Sequence, residues 1–94
     1  MISTHVLDTA NGAPATGVRV ELYRGDELVG SGETDGDGRI REVANVGDGT
    51  YRIVFHPPSP FFTRVELEVQ LAGGRHHHIP LLLSPYQCTI YRGS

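Results

Sequence analysis

The chain has 94 residues, of which 38% are apolar, and a net charge of −3, which fits one small domain with a modest core. All eight of its cationic residues are scattered arginines, so the concentrated basic face that nucleic-acid binding needs is missing. A lone cysteine, no apolar run near the roughly 20 residues of a membrane helix, and no visible signal peptide together predict a cytoplasmic protein that contacts no membrane.

Glycine (12) and proline (6) interrupt the chain at short intervals, and the runs between them alternate apolar and polar residues, as short strands do. The predicted strands cover residues 2–7, 18–23, 28–33, 39–43, 50–55, 62–71, 76–83 and 87–91. We expect 62–71 to be the longest strand and Ala72-Gly-Gly74 to be a hairpin loop. The prolines in His56-Pro-Pro-Ser-Pro60 exclude a helix there. Eight such strands predict an all-β sandwich of two sheets, with residues 1–94 as a single domain.

Five histidines are many for a chain of this length. His5 lies in the first predicted strand, on the face that it shares with Ser3 and Leu7. In residues 76–83 the alternation places His76 and His78 on one face and His77 with Ile79 on the other, more apolar face. We therefore expect His77 to face the core and its two neighbours to point away from it. Such histidines can be solvated surface residues, general bases or, for His76 and His78, metal ligands, although no nearby cysteine or carboxylate completes a ligand set.

The segment Thr34-Asp-Gly-Asp-Gly-Arg39 is rich in residues that favour turns. It is not an EF-hand loop, because the glutamate at the twelfth position and the flanking helices are missing. Arg39, which follows the turn, is either a surface cation or a rigid fork for the oxygens of a substrate. Cys88 is predicted to be a half-buried strand residue and Ser84 a turn residue before Pro85.

Four segments together resemble one known family. They are Thr4-His-Val-Leu-Asp8 with the following Gly-x-Pro-Ala-x-Gly17, Thr34-Asp-Gly-Asp-Gly-Arg39, His76-His-His-Ile-Pro-Leu-Leu-Leu-Ser-Pro85, and Tyr91-Arg-Gly-Ser94. With them the chain resembles the 5-hydroxyisourate hydrolases, the enzymatic branch of the transthyretin-like family. Tyr91-Arg-Gly-Ser94 is the most specific segment, since it separates these hydrolases from the transthyretin hormone carriers.

The resemblance implies a transthyretin-like (prealbumin-like) β-sandwich of two four-stranded sheets, in which the first, fourth, seventh and eighth strands share one sheet. It also implies a homotetramer with active sites in a channel between dimers. The family usually has a short helix between the fifth and sixth strands. Here His56-Pro-Pro-Ser-Pro60 stands in its place, so that helix is expected to be deleted, and the loop after Tyr23 is also short.

The reaction implied by the resemblance is hydrolysis of 5-hydroxyisourate to 2-oxo-4-hydroxy-4-carboxy-5-ureidoimidazoline in urate degradation, without a metal or other cofactor. By the same resemblance, His5 and His78 position and deprotonate the attacking water and Arg39 binds substrate oxygens. The expected catalytic set is His5, Arg39, His78 and Ser94, and the expected substrate-binding set is His76, Tyr91, Arg92 and Gly93.

Two other classes of protein remain open. A non-catalytic β-sandwich binding module, such as the carboxypeptidase regulatory-like domains, shares the glycine–proline and Thr-Asp-x-Asp-Gly patterns but does not need the histidines together with the Tyr91–Ser94 ending. A transthyretin-like carrier of a small apolar ligand would favour an apolar channel over one with imidazoles and guanidiniums.

Overall fold

The computed structural model describes all 94 residues and contains strands but no helix, so no helix in it could cross a membrane. Eight of its nine strands correspond to the predicted ones, with ends shifted by up to three residues. The ninth, the two-residue β2, was too short to predict. The strands are β1 (Ile2–Asp8), β2 (Ala13–Pro14), β3 (Arg19–Arg24), β4 (Glu27–Glu33), β5 (Arg39–Ala44), β6 (Gly49–His56), β7 (Val65–Leu71), β8 (His77–Ser84) and β9 (Gln87–Ile90).

The strands form two sheets. In the first sheet the order is β2-β1-β8-β9, and β5 pairs with β1 on the edge that β2 also uses; in the second sheet the order is β4-β3-β6-β7. This confirms the predicted two-sheet sandwich and the grouping of β1, β5, β8 and β9. The first sheet has five strands rather than four, because β2 adds two residue pairs to the end of β1.

The core lies between the sheets and is built from the inward-facing residues of each strand. Val6, Leu22, Ile53 and Leu81 are completely buried there, as the alternation of short strands requires. Tyr51 is also buried, and its hydroxyl donates to the Gly47 carbonyl over 2.9 Å. One apolar cluster thus joins both sheets.

Two local predictions were wrong. Strand β7 begins at Val65, so it is shorter than the eight-residue β6 and β8; the Ser59 hydroxyl accepts the backbone N–H groups of Phe61 and Phe62 and holds that segment in a turn. The loop at 72–74 is not a hairpin, because it leads from β7 in the second sheet to β8 in the first. Strand β8 instead pairs in parallel with β1. These strands lie far apart in the sequence, so no local sequence pattern could predict their pairing.

Candidate active site

The outer face of the first sheet carries most of the predicted site residues. The parallel register of β1 and β8 pairs Ser3 with His78, and the antiparallel register of β1 and β5 pairs His5 with Arg39. Paired residues on neighbouring strands share a face. His77, in contrast, is 6% exposed and contributes to the buried side. The predicted orientations of His77 and His78 are therefore confirmed.

These side chains line two adjoining cavities of about 370 and 560 Å³, which share Arg39 and Arg41. We call this surface the outer groove; the residues that define it are Ser3, His5, Arg39, Arg41, His76, His78 and Ser94. Its only acidic side chain is Asp37, beside the two guanidiniums. Such a groove favours a ligand rich in oxygen or carrying negative charge.

The turn before β5 fixes the position of Arg39. One carboxylate oxygen of Asp35 accepts the backbone N–H groups of Asp37 at 2.9 Å and Arg39 at 3.0 Å. These bonds, with that of Arg39 foremost, hold the pKa of the Asp35 carboxyl below its usual value. Gly38 has φ of 74°, and a Cβ on it would lie 2.5 Å from the Val6 carbonyl oxygen. A glycine is therefore needed where the turn meets β1.

Ser3 joins two of the histidines. Its hydroxyl oxygen lies 2.7 Å from Nδ1 of His78 and 2.7 Å from Nε2 of His76. Ser3 is only 8% exposed, whereas His76, which precedes β8, is exposed. The bond to Nδ1 orients the ring of His78. In the neutral ring one nitrogen is a donor and the other an acceptor, so the role of Nδ1 toward Ser3 also determines the role of Nε2.

The surroundings of His78 favour its neutral form. Partial burial is the main cause that lowers the pKa of His78 below its usual 6.5, and its electrostatic interactions with His5, Arg39 and His76 lower it further. A neutral imidazole can accept a proton at neutral pH. His78 is thus suited to act as a base beside guanidiniums that can bind oxygens.

The last residues of the chain divide between two places. Ser94 lines the outer groove, and the N–H of Gly93 donates to the His78 carbonyl over 2.7 Å. Tyr91 and Arg92 instead line an apolar cavity of about 250 Å³ next to β7 and the buried side of β8. The structure therefore brings Gly93 and Ser94 to His78 but does not bring Tyr91 and Arg92 into the outer groove.

Two residues of the outer groove had no predicted role. Arg41 follows Arg39 by two positions in β5 and so shares its face, a signal that the alternation could have supplied. Ser3 was known only to share a face with His5. Its contact with two histidines depends on the register between residues more than 70 positions apart, which the sequence does not contain.

The other residues considered for a metal site or a nucleophile have structural positions. No three side chains among histidine, cysteine, aspartate and glutamate lie close enough to share a metal ion. Cys88 is half-buried and packs against the core. Ser84 lies at the end of β8 and shares a hydrogen bond with Thr9.

Comparison with known proteins is consistent across the whole chain. Residues 2–93 match the model of the HIUase/Transthyretin family. The 5-hydroxyisourate hydrolase 2 of Rhizobium meliloti is 41% identical, and the match covers 99% of this chain and 95% of that protein. That alignment has 114 positions although this chain has 94 residues, so at least 20 of the positions have no counterpart here, in agreement with shortened connections.

Solved structures give the same relationship. The 5-hydroxyisourate hydrolase of Klebsiella pneumoniae superposes with a TM-score of 0.86 at 34% identity, covering 99% of this chain and 98% of that one. Sea bream transthyretin in complex with thyroxine superposes with a TM-score of 0.84 at 26% identity, covering 97% and 92%. The protein belongs to the HIUase/Transthyretin family.

Proposed function

We propose that this protein hydrolyses 5-hydroxyisourate to 2-oxo-4-hydroxy-4-carboxy-5-ureidoimidazoline in urate degradation. The observation that carries the proposal is the outer groove itself, in which a histidine with a lowered pKa lies among arginines that can bind oxygens. The names of the Rhizobium and Klebsiella relatives support the same substrate. The cavity that His78 lines is polar, with Ile40 as its only hydrophobic lining residue, which disfavours a carrier of an apolar ligand.

The proposed reaction begins with a water molecule next to His78. His78, helped by His5, removes a proton from the water as its oxygen bonds to a ring carbonyl carbon of the substrate. The carbonyl becomes an oxyanion, which the guanidinium of Arg39 stabilises. When the oxyanion collapses, the adjacent ring carbon–nitrogen bond breaks, and the histidine returns its proton to the leaving nitrogen.

The other groove residues hold the substrate in this mechanism. Arg41 gives a second guanidinium for the oxygens at the far side of the ring, and Ser94 closes the near side beside His78. Gly93 keeps that segment against His78 through its backbone hydrogen bond. Tyr91 and Arg92 have an indirect part: they line the apolar cavity and connect β9 to Gly93 and Ser94.

The active form is proposed to be a homotetramer in the cytoplasm, each chain being one domain. One hydrophobic core that joins both sheets supports the single domain. The outer groove is an open surface of a small chain, and a facing copy of the same sheet would close it and exclude water from the reaction. Native mass spectrometry tests the assembly: a mass of four chains is expected, and a monomer with full activity would contradict it.

The test of the function follows the ultraviolet absorbance of 5-hydroxyisourate generated by urate oxidase. We expect decay well above the spontaneous rate with the protein, and at least tenfold less activity in His78→Ala and in Arg39→Ala. His56→Ala is the matched control, because His56 binds Glu21 on the second sheet, away from the groove. Full activity in both groove variants would overturn the assignment.

A further inference from the structure

Ser3 is the side chain in the outer groove that contacts two titratable rings at once. We propose that Ser3 is a positioning residue that selects the tautomer of His78 and, with His76, forms a relay that moves the positive charge from His78 to the exposed His76 when the attacking water loses its proton. The kinetic part of this inference rests on the hydrolase function proposed above. The tautomer part rests on the hydrogen bonds alone.

The proton count of the serine hydroxyl carries the argument. A hydroxyl has one proton, so Ser3 can donate to only one of the two ring nitrogens that lie 2.7 Å away and must accept from the other. If Nδ1–H of His78 donates to Ser3, then Ser3 donates to Nε2 of His76, and Nε2 of His78 has a free lone pair. In the opposite arrangement Nε2 of His78 carries a proton and cannot act as a base.

Only the first arrangement makes His78 a base for water. When Nε2 of His78 takes a proton from the water, Nδ1 gives its proton to Ser3, and Ser3 gives its own to Nε2 of His76. His78 is then neutral with a proton on Nε2, and the positive charge is on His76. When Nε2–H protonates the leaving nitrogen, the three groups return to the first arrangement, so protons and charges balance.

The electrostatics of the groove favour moving the positive charge from His78 to His76. A positive charge on His78 would be partly buried, and that burial, together with electrostatic interactions with the neighbouring side chains, lowers its pKa. His76 is exposed, so water stabilises its charged form better. The groups that face His78 from the surrounding elements are Ser3 and His5 of β1, Arg39 and Arg41 of β5, His76, and Ser94.

The opposite end of the β1–β8 strand pair gives a matched control. Near the other end of β1, the Thr9 hydroxyl bonds to the Ser84 hydroxyl over 2.5 Å. This bond also joins the chain following β1 to β8, but it contacts no histidine. Thr9→Val therefore removes a comparable connection without touching the relay, and we expect it to leave both the rate and the histidine signals unchanged.

The first experiment reads the ring nitrogens of His76 and His78 by two-dimensional ¹H–¹⁵N NMR at pH 7.5. In the wild type we expect one tautomer of His78, with the proton on Nδ1. In Ser3→Ala we expect a mixture with substantial protonation of Nε2, and in Ser3→Thr, which keeps the hydroxyl, the wild-type pattern. Identical His78 signals in wild type and Ser3→Ala would overturn the inference.

The second experiment is kinetic. Ser3→Ala should lower kcat by about 10- to 100-fold, a share of what a general base contributes, with KM changed less than about twofold. His76→Gln, at an exposed position that does not endanger folding, should keep the His78 tautomer but lower kcat by about tenfold, and added imidazole should restore part of the rate. Wild-type kcat in His76→Gln would overturn the relay.

The outcomes separate this inference from the proposed function. If the wild type does not accelerate 5-hydroxyisourate decay but Ser3→Ala still changes the His78 tautomer, the hydrolase proposal fails and the positioning role of Ser3 stands. If the wild type is active and Ser3→Ala changes neither kcat nor the nitrogen signals, the positioning role fails and the hydrolase proposal stands.

Discussion

Gly93→Ala is the sharpest perturbation that the structure offers, because it adds one carbon atom against the proposed base. A Cβ on Gly93 would lie 2.8 Å from Cδ2 of His78, and 3.2 and 3.3 Å from two ring carbons of Pro80. Gly93 is not among the glycines with positive φ, so alanine can adopt its backbone conformation. The effect of the substitution therefore comes from contact and not from backbone strain.

The size of the effect follows from the distances. Carbon atoms in good contact are about 3.5–4.0 Å apart, so the new contact is short by about 0.7 Å or more. Pro80 is buried and cannot yield easily, so the ring of His78 or the segment of Gly93 and Ser94 must move. Since a misplacement of about 1 Å can cost about 100-fold in rate, we expect kcat/KM to fall by about 10- to 100-fold.

The assay compares 5-hydroxyisourate decay in Gly93→Ala with that in Gly47→Ala. Gly47 also has no positive φ, and a Cβ there would meet no atom within 4 Å, so its activity should be unchanged. Gly93 is exposed, so the free energy of unfolding should change by no more than about 0.5 kcal/mol. A folded Gly93→Ala protein with kcat/KM within twofold of the wild type would refute the packing of this segment on His78.

Three further predictions concern pH, the turn and the core. The neutral form of His78 is the base and its pKa is below the usual 6.5, so kcat/KM should fall on the acid side only below pH 6.5. Arg39→Gln removes a positive charge and should therefore move this acid limb to higher pH. An acid limb that moves to lower pH in Arg39→Gln would contradict this role of His78. Asp35→Ala should lower kcat/KM by about 3- to 10-fold by loosening the turn that holds Arg39, whereas the control Asp26→Ala should leave it unchanged. Equal kcat/KM values for the two variants would exclude this role of the turn. Ile53→Ala should lower the free energy of unfolding in urea by about 2–5 kcal/mol, since the side chain is completely buried; a loss below 1 kcal/mol would speak against the packing.

The fold could be predicted largely because alternation determines which side of a strand is buried. The pattern around His77 and Ile79 gave the correct buried face of β8, and His78 followed on the other side. Strand pairing could not be predicted in the same way. The parallel partner of β8 is β1, and local sequence patterns do not indicate a pairing between strands so far apart in the chain. The loop at 72–74 was therefore wrongly predicted to be a hairpin.

The candidate site was predictable in part for the same reason. His5 and His78 could be assigned to strand faces from their own neighbours, and Arg39 was expected beside them from the family resemblance. The structure brings all three to one groove. Ser3 was missed because its hydrogen bonds arise from strand register. Tyr91 follows β9, where the regular ladder ends, so alternation no longer determines which way its side chain points. The catalytic roles of these residues stay predictions until variants are measured.

The most direct test of the account is the decay of 5-hydroxyisourate, generated in place by urate oxidase, with wild-type protein, with His78→Gln and without protein. We expect rapid decay with the wild type and a rate at least tenfold lower with His78→Gln, both proteins having the same melting temperature within a few degrees. Decay at the spontaneous rate with folded wild-type protein, or equal rates for the wild type and His78→Gln, would contradict it.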